Sequence, residues 1–459
     1  MSKDAPNFAN RTVWTGDNLD ILRGINSECV DLIYLDPPFN SNQDYAAPIG
    51  SKAAGAAFKD TWTLDDVDEA WHGEIAERDS GLYSVIAGAG LAHGSGMKSY
   101  LIMMAVRLLE MHRVLKPTGS IYLHCDDTAV HYLKMLLDSV FGARRYRNDI
   151  VWQRTSSRND AGRWGRVHDA LLFYTRSDAF TWNRVMQEHD PEYIRKAYRY
   201  EDEEGRYRLH EIIRTASMGE RPNLTYEYKG YRPRWGWRKI REKVEALDEA
   251  GYLVWSDSGR PYVKRYLHDH PGVPIRDVIT DIPPATGKTE RTGYPTQKPL
   301  ALLERIIAAS SKPDDVVLDP FCGCATTLVA AETLGRKWAG IDLSPLAVKL
   351  VAERLSDHHG MFGQVAARTD IPRRNDLGKL PNYRTYRHTL YGRQEGNCMG
   401  CRIHFPFRNL TVDHIVPQSK GGSDHLDNLQ LLCGACNSKK GNRPMEALIA
   451  ELFMEGIRQ

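Results

Sequence analysis

The sequence predicts an α/β protein whose sheet is interrupted by an irregular region and followed by a small metal-stapled module. Three observations carry this. Short apolar runs alternate with amphipathic stretches from Arg11 to about Phe141 and resume at Pro299, as in a sheet flanked by helices. Between them, from Tyr193 to Tyr266, tyrosine and tryptophan are dense and apolar periodicity is weak, which reads as a separate, irregular domain. Near the end stand two Cys-x-x-Cys pairs, Cys398/Cys401 and Cys433/Cys436. At 459 residues the chain exceeds one ordinary core, and roughly 100–200 residues per domain makes two or three domains the expectation.

Composition narrows the rest. The formal net charge is +2, so the whole chain selects no partner class and local charge must carry that question. Residues 1–11 are polar, and no later apolar run is long enough to span a bilayer, so a cytoplasmic protein without a membrane partner is expected. Of eight cysteines, four form the two pairs, while Cys29, Cys125, Cys322 and Cys324 lie in apolar or glycine-rich segments. That pattern belongs to metal binding, not to a disulfide framework.

In chain order, Val30 to Leu35 reads as a buried strand ended by Asp36-Pro37-Pro38-Phe39, where two prolines stop the ladder and force a rigid turn. Ligands of open α/β sheets gather at such carboxyl ends. Asn40 to His93 reads as a surface insertion or lid. Lys98 to Val114 has helical spacing, and Lys116-Pro117-Thr118-Gly119 turns the chain into a strand at Ser120 to His124. Arg144 to Arg176 carries eight arginines against three aspartates with aromatic residues interleaved, which suits either phosphate contact or a solvated basic face. After Pro299 comes a βαβ unit: strand Val316 to Leu318, a tight loop from Asp319 to Ala325, a helix from Thr326 to Leu334 and a strand from Trp338 to Asp342. The expected divisions are 1–143, 144–290, 291–367, a basic linker at 368–393, and the module at 394–459.

The chemistry follows from residue types. A carboxylate and a proline carbonyl at a strand end suit an exocyclic amino group: Asp36 accepts one N–H, the Pro37 carbonyl another, and Phe39 beyond the rigid Pro38 offers a flat face for a base. Accepting both hydrogens frees the nitrogen's conjugated lone pair for in-line attack on a sulfonium methyl, with catalysis from orientation and electrostatics. Gly323 lets backbone approach a nucleoside, and Asp342 at the second strand's end can hold ribose hydroxyls.

With Gly16-Asp17-Asn18 before them and Pro295-Thr296-Gln297-Lys298-Pro299 preceding the loop, these segments resemble, in order, the motifs of β-class DNA amino-methyltransferases. The resemblance covers about residues 11–365. It implies a Rossmann-like methyltransferase sheet that binds S-adenosyl-L-methionine (SAM), with the target-recognition region at 144–290. It also implies double-stranded DNA as partner, a homodimer as an option, and a cofactor site lined by Asp17, Lys298, Asp319, Phe321, Gly323 and Asp342. Asp first in the catalytic motif favours adenine N6 over cytosine N4. The usual loop reads Phe-x-Gly-x-Gly; here Ala325 replaces the last glycine, a change expected to be tolerated with φ negative.

The two cysteine pairs flank 31 residues and suit tetrahedral Zn2+, whose binding would supply the folding energy of so small a module. Between them lie Thr411-Val412-Asp413-His414-Ile415, Gly421-Gly422 and Asn428, with Asn437 directly after the last cysteine. This resembles the HNH, or ββα-metal, endonuclease family. Asp413 and the Asn437 amide oxygen can hold one Mg2+ or Mn2+, His414 can deprotonate water, and Asn428 is expected to fix the imidazole through its other nitrogen. Lys439 and Lys440 are read either as phosphate contacts or as a solvated helix end.

Overall fold

The fold is given by a computed structural model that describes residues 5–38, 45–46, 57–58, 66–155, 162–270, 272–285, 292, 294, 297–359, 364–376 and 382–458. Its centre is a nine-stranded sheet. The strands are β1 (Thr12–Thr15), β2 (Val30–Leu35), β3 (Leu115–Cys125), β4 (Tyr146–Gln153), β5 (His168–Thr175), β6 (Val278–Ile279), β7 (Val316–Asp319), β8 (Lys337–Asp342) and β9 (Ala366–Arg368). Their order is β6-β4-β5-β3-β2-β7-β8-β1-β9. β5 runs antiparallel to both neighbours and the other pairs are parallel.

From the central pair β2 and β7 the chain leaves in opposite directions, to β3 on one side and β8 on the other. That reversal opens a crevice outside the carboxyl ends, where open α/β sheets bind ligands. The register Val317↔Leu32 and Leu318↔Ile33 brings Asp36 and the loop after Asp319 to the same edge.

β2 is buried throughout and serves two cores. Ile33 and Leu35 face a cluster built with Asn18–Gly24, Ser80–His93, Ser95–Val114 and Val130–Leu137, while Leu32 and Tyr34 face one built with Leu300–Ser310, Thr326–Thr333 and Leu346–His359. The alternation is the two-residue period of a strand covered on both faces.

Four expectations change. The first part of the region read as target recognition belongs to the sheet, because β4 and β5 lie in it with Ala170 to Tyr174 buried, and the compact second unit is Arg184–Arg276. Several arginines of the basic stretch are paired, Arg154 with Asp169, Arg166 with Asp127, and Arg145 and Arg147 with Asp178. Within the segment read as a surface insertion, helices Asp66–Arg78 and Ser80–His93 place Ile75, Leu82, Ile86 and Ala89 in the core. The basic linker begins at the last residue of β9, Arg368, and carries a helix, Arg387–Arg393, that lies on Asp66–Arg78, with Gly392 so close that a Cβ would stand 2.6 Å from Trp71 Nε1.

The second unit holds a four-stranded antiparallel sheet, ordered 253–255, 261–266, 205–211, 200–202, and packs Ile212, Ile213, Val244, Leu253 and Val263 around buried Trp237. The C-terminal module is a hairpin, Leu410–His414 with Leu429–Cys433, followed by helices Gly434–Lys440 and Met445–Met454 around a core of its own.

Candidate functional site

A cavity of about 510 Å³ opens at the carboxyl ends of β2, β7 and β8. Asp36, Asp319 and Asp342 reach it from the three strands. Asp36 Oδ2 accepts from Lys298 Nζ at 2.5 Å, across 262 positions of sequence, while Oδ1 is buried and has no hydrogen-bonding partner among the described residues. Pro37 and Pro38 follow, with Pro38 on the wall; Phe39 lies outside the described residues.

Asp319 is 3 % exposed. Burial pushes its carboxyl up to about 7 against hydrogen bonds from Thr327 and the Phe321 amide, and the charges of Asp36 and Asp342 add to the rise. Asp342 accepts from the Gly323 amide at 2.9 Å and the Ser344 amide at 2.8 Å, and burial raises its pKa too. Gly323 has φ 48°, with Tyr294 so near that a Cβ would stand 3.2–3.3 Å from its ring. Ala325 contradicts the expectation of negative φ: it takes φ 61°, ψ 31°, because the chain must turn tightly into helix Thr326–Thr333.

Asp17 caps Asn18–Gly24 by accepting from the Leu19 amide at 2.8 Å, and also accepts from Arg107 at 2.8 Å. Arg107, buried, reaches Asn18 Oδ1 as well, and the Asn18 amide donates to the Pro320 carbonyl at 2.7 Å. One arginine thereby ties the two cofactor-side loops together. Sequence reading missed Arg107 because nothing in the helix Ser95–Val114 marks it apart from being a cation on an apolar face. All six residues expected to line the cofactor site, Asp17, Lys298, Asp319, Phe321, Gly323 and Asp342, line this cavity. Four carboxylates, Asp17, Asp36, Asp319 and Asp342, against two cations, Arg107 and Lys298, favour a cationic ligand, and a tight glycine turn favours a nucleoside, so the donor set fits SAM.

In the module, the sulfur atoms of Cys398, Cys401, Cys433 and Cys436 lie within 4.8 Å of one another and all four residues are buried, as a tetrahedral metal site requires. His414 Nε2 is 2.7 Å from Asp424 Oδ1, and Gln418 also donates to that oxygen. The hydrogen bond from His414 holds the Asp424 carboxyl below the usual range. Asn428 does not fix the imidazole. It instead binds the Val416 amide and the carbonyls of Val416 and Ser423, bracing the loop that carries Asp424. Asp424 thus makes the contact to the imidazole that was expected of Asn428; its signal is a carboxylate two residues after the Gly421-Gly422 turn. Asp413 Oδ2 is 3.0 Å from Lys440 Nζ, and Lys440 is buried, so neither reading of that lysine holds. Lys439 pairs with Glu451 and Glu455. Asn437 donates to Thr411 Oγ1 at 3.1 Å, beside the strand that carries Asp413.

An α/β sheet with a SAM-fitting cavity next to a proline-rigid carboxylate defines a SAM-dependent amino-methyltransferase, here joined to a ββα module. The DNA methylase family model matches residues 30–353 and the HNH endonuclease model residues 398–443; the chain belongs to the DNA methylase family and carries an HNH domain. It is 32% identical over 353 residues to the type II methyltransferase M.EcaI of Enterobacter cloacae, covering 76% of this chain and 69% of that one. It is 27% identical to the DNA adenine methyltransferase YhdJ of Escherichia coli K12, covering 75% and 82%. Among solved structures it is similar to the cytosine-N4-specific PvuII DNA methyltransferase at 13% identity and TM-score 0.37, covering 78% and 90%.

Proposed function

We propose that the chain methylates a specific DNA sequence at the exocyclic amino group of adenine, N6, and that its HNH module cleaves or nicks DNA. The observation that carries the first half is Asp36: Lys298 holds one carboxylate oxygen, and the other is buried and unpaired among the described residues at the cavity. An unsatisfied buried acceptor costs about 1–3 kcal/mol, a cost relieved by an incoming amino N–H. Lys298 fixes the carboxylate in place; the Pro37 carbonyl takes the second amino hydrogen, and after transfer Asp36 is the nearest acceptor for the surplus proton. Bound SAM supplies the electrophilic methyl. Adenine is favoured by Asp at the head of the catalytic motif and by the kinship to an adenine methyltransferase.

Target recognition is assigned to the part of the 144–290 region outside the sheet, unit Arg184–Arg276, in which an exposed Arg241 lies over a half-buried Tyr226. Trp164, 95% exposed between Arg163 and Arg166, offers an aromatic face to DNA on the loop after β4. For the module, Asp413 and Asn437 are assigned to Mg2+ or Mn2+, the four cysteines to Zn2+, and His414, oriented by Asp424, to the general base.

A second reading has an observation of its own. The buried Lys440 already neutralises Asp413, which competes with a divalent ion and suits a module that only binds DNA. Two experiments test these readings. Single-molecule sequencing of DNA from expressing cells should report N6-methyladenine at one motif, absent with Asp36→Ala; N4-methylcytosine instead would displace the adenine assignment. Unmethylated plasmid with magnesium should be cut by the wild type and not by His414→Ala. If neither protein cuts, the binding-only reading stands.

A further inference from the structure

Tyr34 sits on β2 two residues before Asp36 and lines the same cavity, yet nothing in the methyl-transfer chemistry above uses it. Behind it runs a chain of buried polar groups on adjacent strands. Tyr34 Oη is 2.8 Å from His124 Nδ1 on β3, and His124 Nε2 is 3.2 Å from Asp169 Oδ2 on β5. Arg154, just past β4, stands 3.2 Å from the other Asp169 oxygen. Tyr34, His124 and Asp169 are each at most 3% exposed. Three polar side chains buried in the middle of a sheet are costly unless each is paired, and here each pairs with the next.

The pairing fixes where the hydrogens are. An ionised carboxylate only accepts, so Nε2 of His124 carries the proton and donates to Asp169. Burial works against the Asp169 charge, but the His124 hydrogen bond and the nearby cations hold its pKa below the usual value; burial keeps the imidazole neutral and the Tyr34 phenol protonated. Nδ1 is then a bare acceptor, and the Tyr34 hydroxyl must donate to it. The hydroxyl hydrogen is therefore committed to His124, and the lone pairs of Oη are the one polar function that Tyr34 has left to offer the cavity it lines.

The position of Tyr34 gives that acceptor a use. The register Leu318↔Ile33 places Tyr34 alongside Asp319, so on the sheet it neighbours both the strand end that carries Asp36 and the strand that leads into the loop assigned to the nucleoside, and it lines the cavity with them. The line of methyl transfer runs between those two. The methyl on a sulfonium is electron-poor, and its C–H groups are weak donors for a fixed oxygen.

We propose that Tyr34 Oη contacts the sulfonium methyl of SAM and aligns it for transfer, with His124 and Asp169 as positioning residues that keep the hydroxyl hydrogen away from it. The demethylated cofactor, S-adenosylhomocysteine, has neither the methyl nor the charge, so the contact should distinguish the two ligands. It rests on the cavity being the methyl-transfer site.

The test is calorimetric titration of the full-length protein with SAM and with S-adenosylhomocysteine. Tyr34→Phe removes one oxygen and preserves the ring. It should weaken SAM binding by about three- to tenfold, the scale of a charge-strengthened C–H contact, while leaving S-adenosylhomocysteine within about twofold. His124→Phe frees the hydroxyl to turn; it should lower the same preference when Tyr34 is present and have no further effect on it in the Tyr34→Phe background. In turnover, Tyr34→Phe should lower kcat with the DNA KM unchanged. Equal weakening of both ligands, or no change in either, overturns the proposal. If His124→Phe does not fold, the ligand comparison with Tyr34→Phe decides alone. Failure of the Asp36 reading would appear separately, as methylation retained by Asp36→Ala.

Discussion

The Asp319 carboxyl closes β7 in a site where burial and two neighbouring carboxylates hold its pKa near 7. An acid raised this far keeps its proton in the folded protein at pH values where the unfolded chain has lost it. Between the unfolded value of about 4 and pH 7, the folded state therefore binds more protons, and the group's contribution to stability falls as pH rises. Cofactor binding has the opposite slope. A sulfonium cation beside Asp319 favours the ionised form, so SAM affinity should increase through pH 7, by about tenfold from pH 6 to pH 8 if the complex titrates below 6. Asp319→Asn should flatten that difference, and titrations at the two pH values check it; an unchanged slope in the variant would assign the dependence elsewhere. Residues of this kind were legible in sequence where the chain marks them locally. Asp36 stands before two prolines and Asp342 ends an apolar run, so each announces a strand end. Lys298 and Asp36 are 262 positions apart, and no periodicity announces their ion pair. Asp424 was hidden for another reason: Asn428 is the more familiar partner for a histidine, but its amide is spent on the backbone of the loop.

At the scale of elements, the loop between β7 and Thr326–Thr333 must turn sharply while presenting backbone amides to the cavity. Two residues there take positive φ, Gly323 at 48° and Ala325 at 61°. Glycine accepts this freely, but the alanine methyl crowds its own carbonyl at a cost of roughly 1–2 kcal/mol. The buried helix behind it, with Leu328, Val329, Ala330 and Ala331 packed in the core, holds it there. Ala325→Gly should therefore stabilise the protein by about 0.5–1 kcal/mol, the relieved strain less the extra freedom glycine gives the unfolded chain. Thermal unfolding would show this as a small rise in Tm, and a fall would mean that the methyl contributes packing worth more than the strain. Sequence placed the turn correctly and misjudged its φ, because a helix start does not by itself tell which residue absorbs the reversal. The basic stretch after Arg144 misled similarly. Its arginines cluster in sequence, but the strand period turns some towards Asp169 and Asp178 once β4 and β5 pair, and pairing partners depend on topology.

At the scale of the whole chain, the C-terminal module and the nine-stranded sheet keep separate cores. Among the described residues, the sheet's two clusters take none beyond Val365, and the module's cluster is drawn from Tyr383 to Leu452 with the four cysteines inside it. A core of that size supplies at most about 3–5 kcal/mol, whereas a structural zinc ion contributes about 10–16 kcal/mol of apparent binding energy. The two meet through the helix Arg387–Arg393, where Gly392 lies against Trp71 and Arg393 Nε stands 3.4 Å from Asp20 Oδ1; neither contact is part of the cavity's own hydrogen bonds. Stripping the metal with a strong chelator should therefore remove one calorimetric transition, that of the module, and leave the other. Methyl transfer should persist within about twofold, while any cleavage of plasmid should disappear and return with added zinc and magnesium together, not with magnesium alone. Loss of methyl transfer in step with the module would show that the docked helix supports the cofactor loops through Trp71, whose ring lies 5.5 Å from the Arg107 guanidinium that binds Asp17 and Asn18. Retention of both transitions after complete chelation would mean that the four cysteines pack as ordinary apolar side chains and that the module folds without a metal.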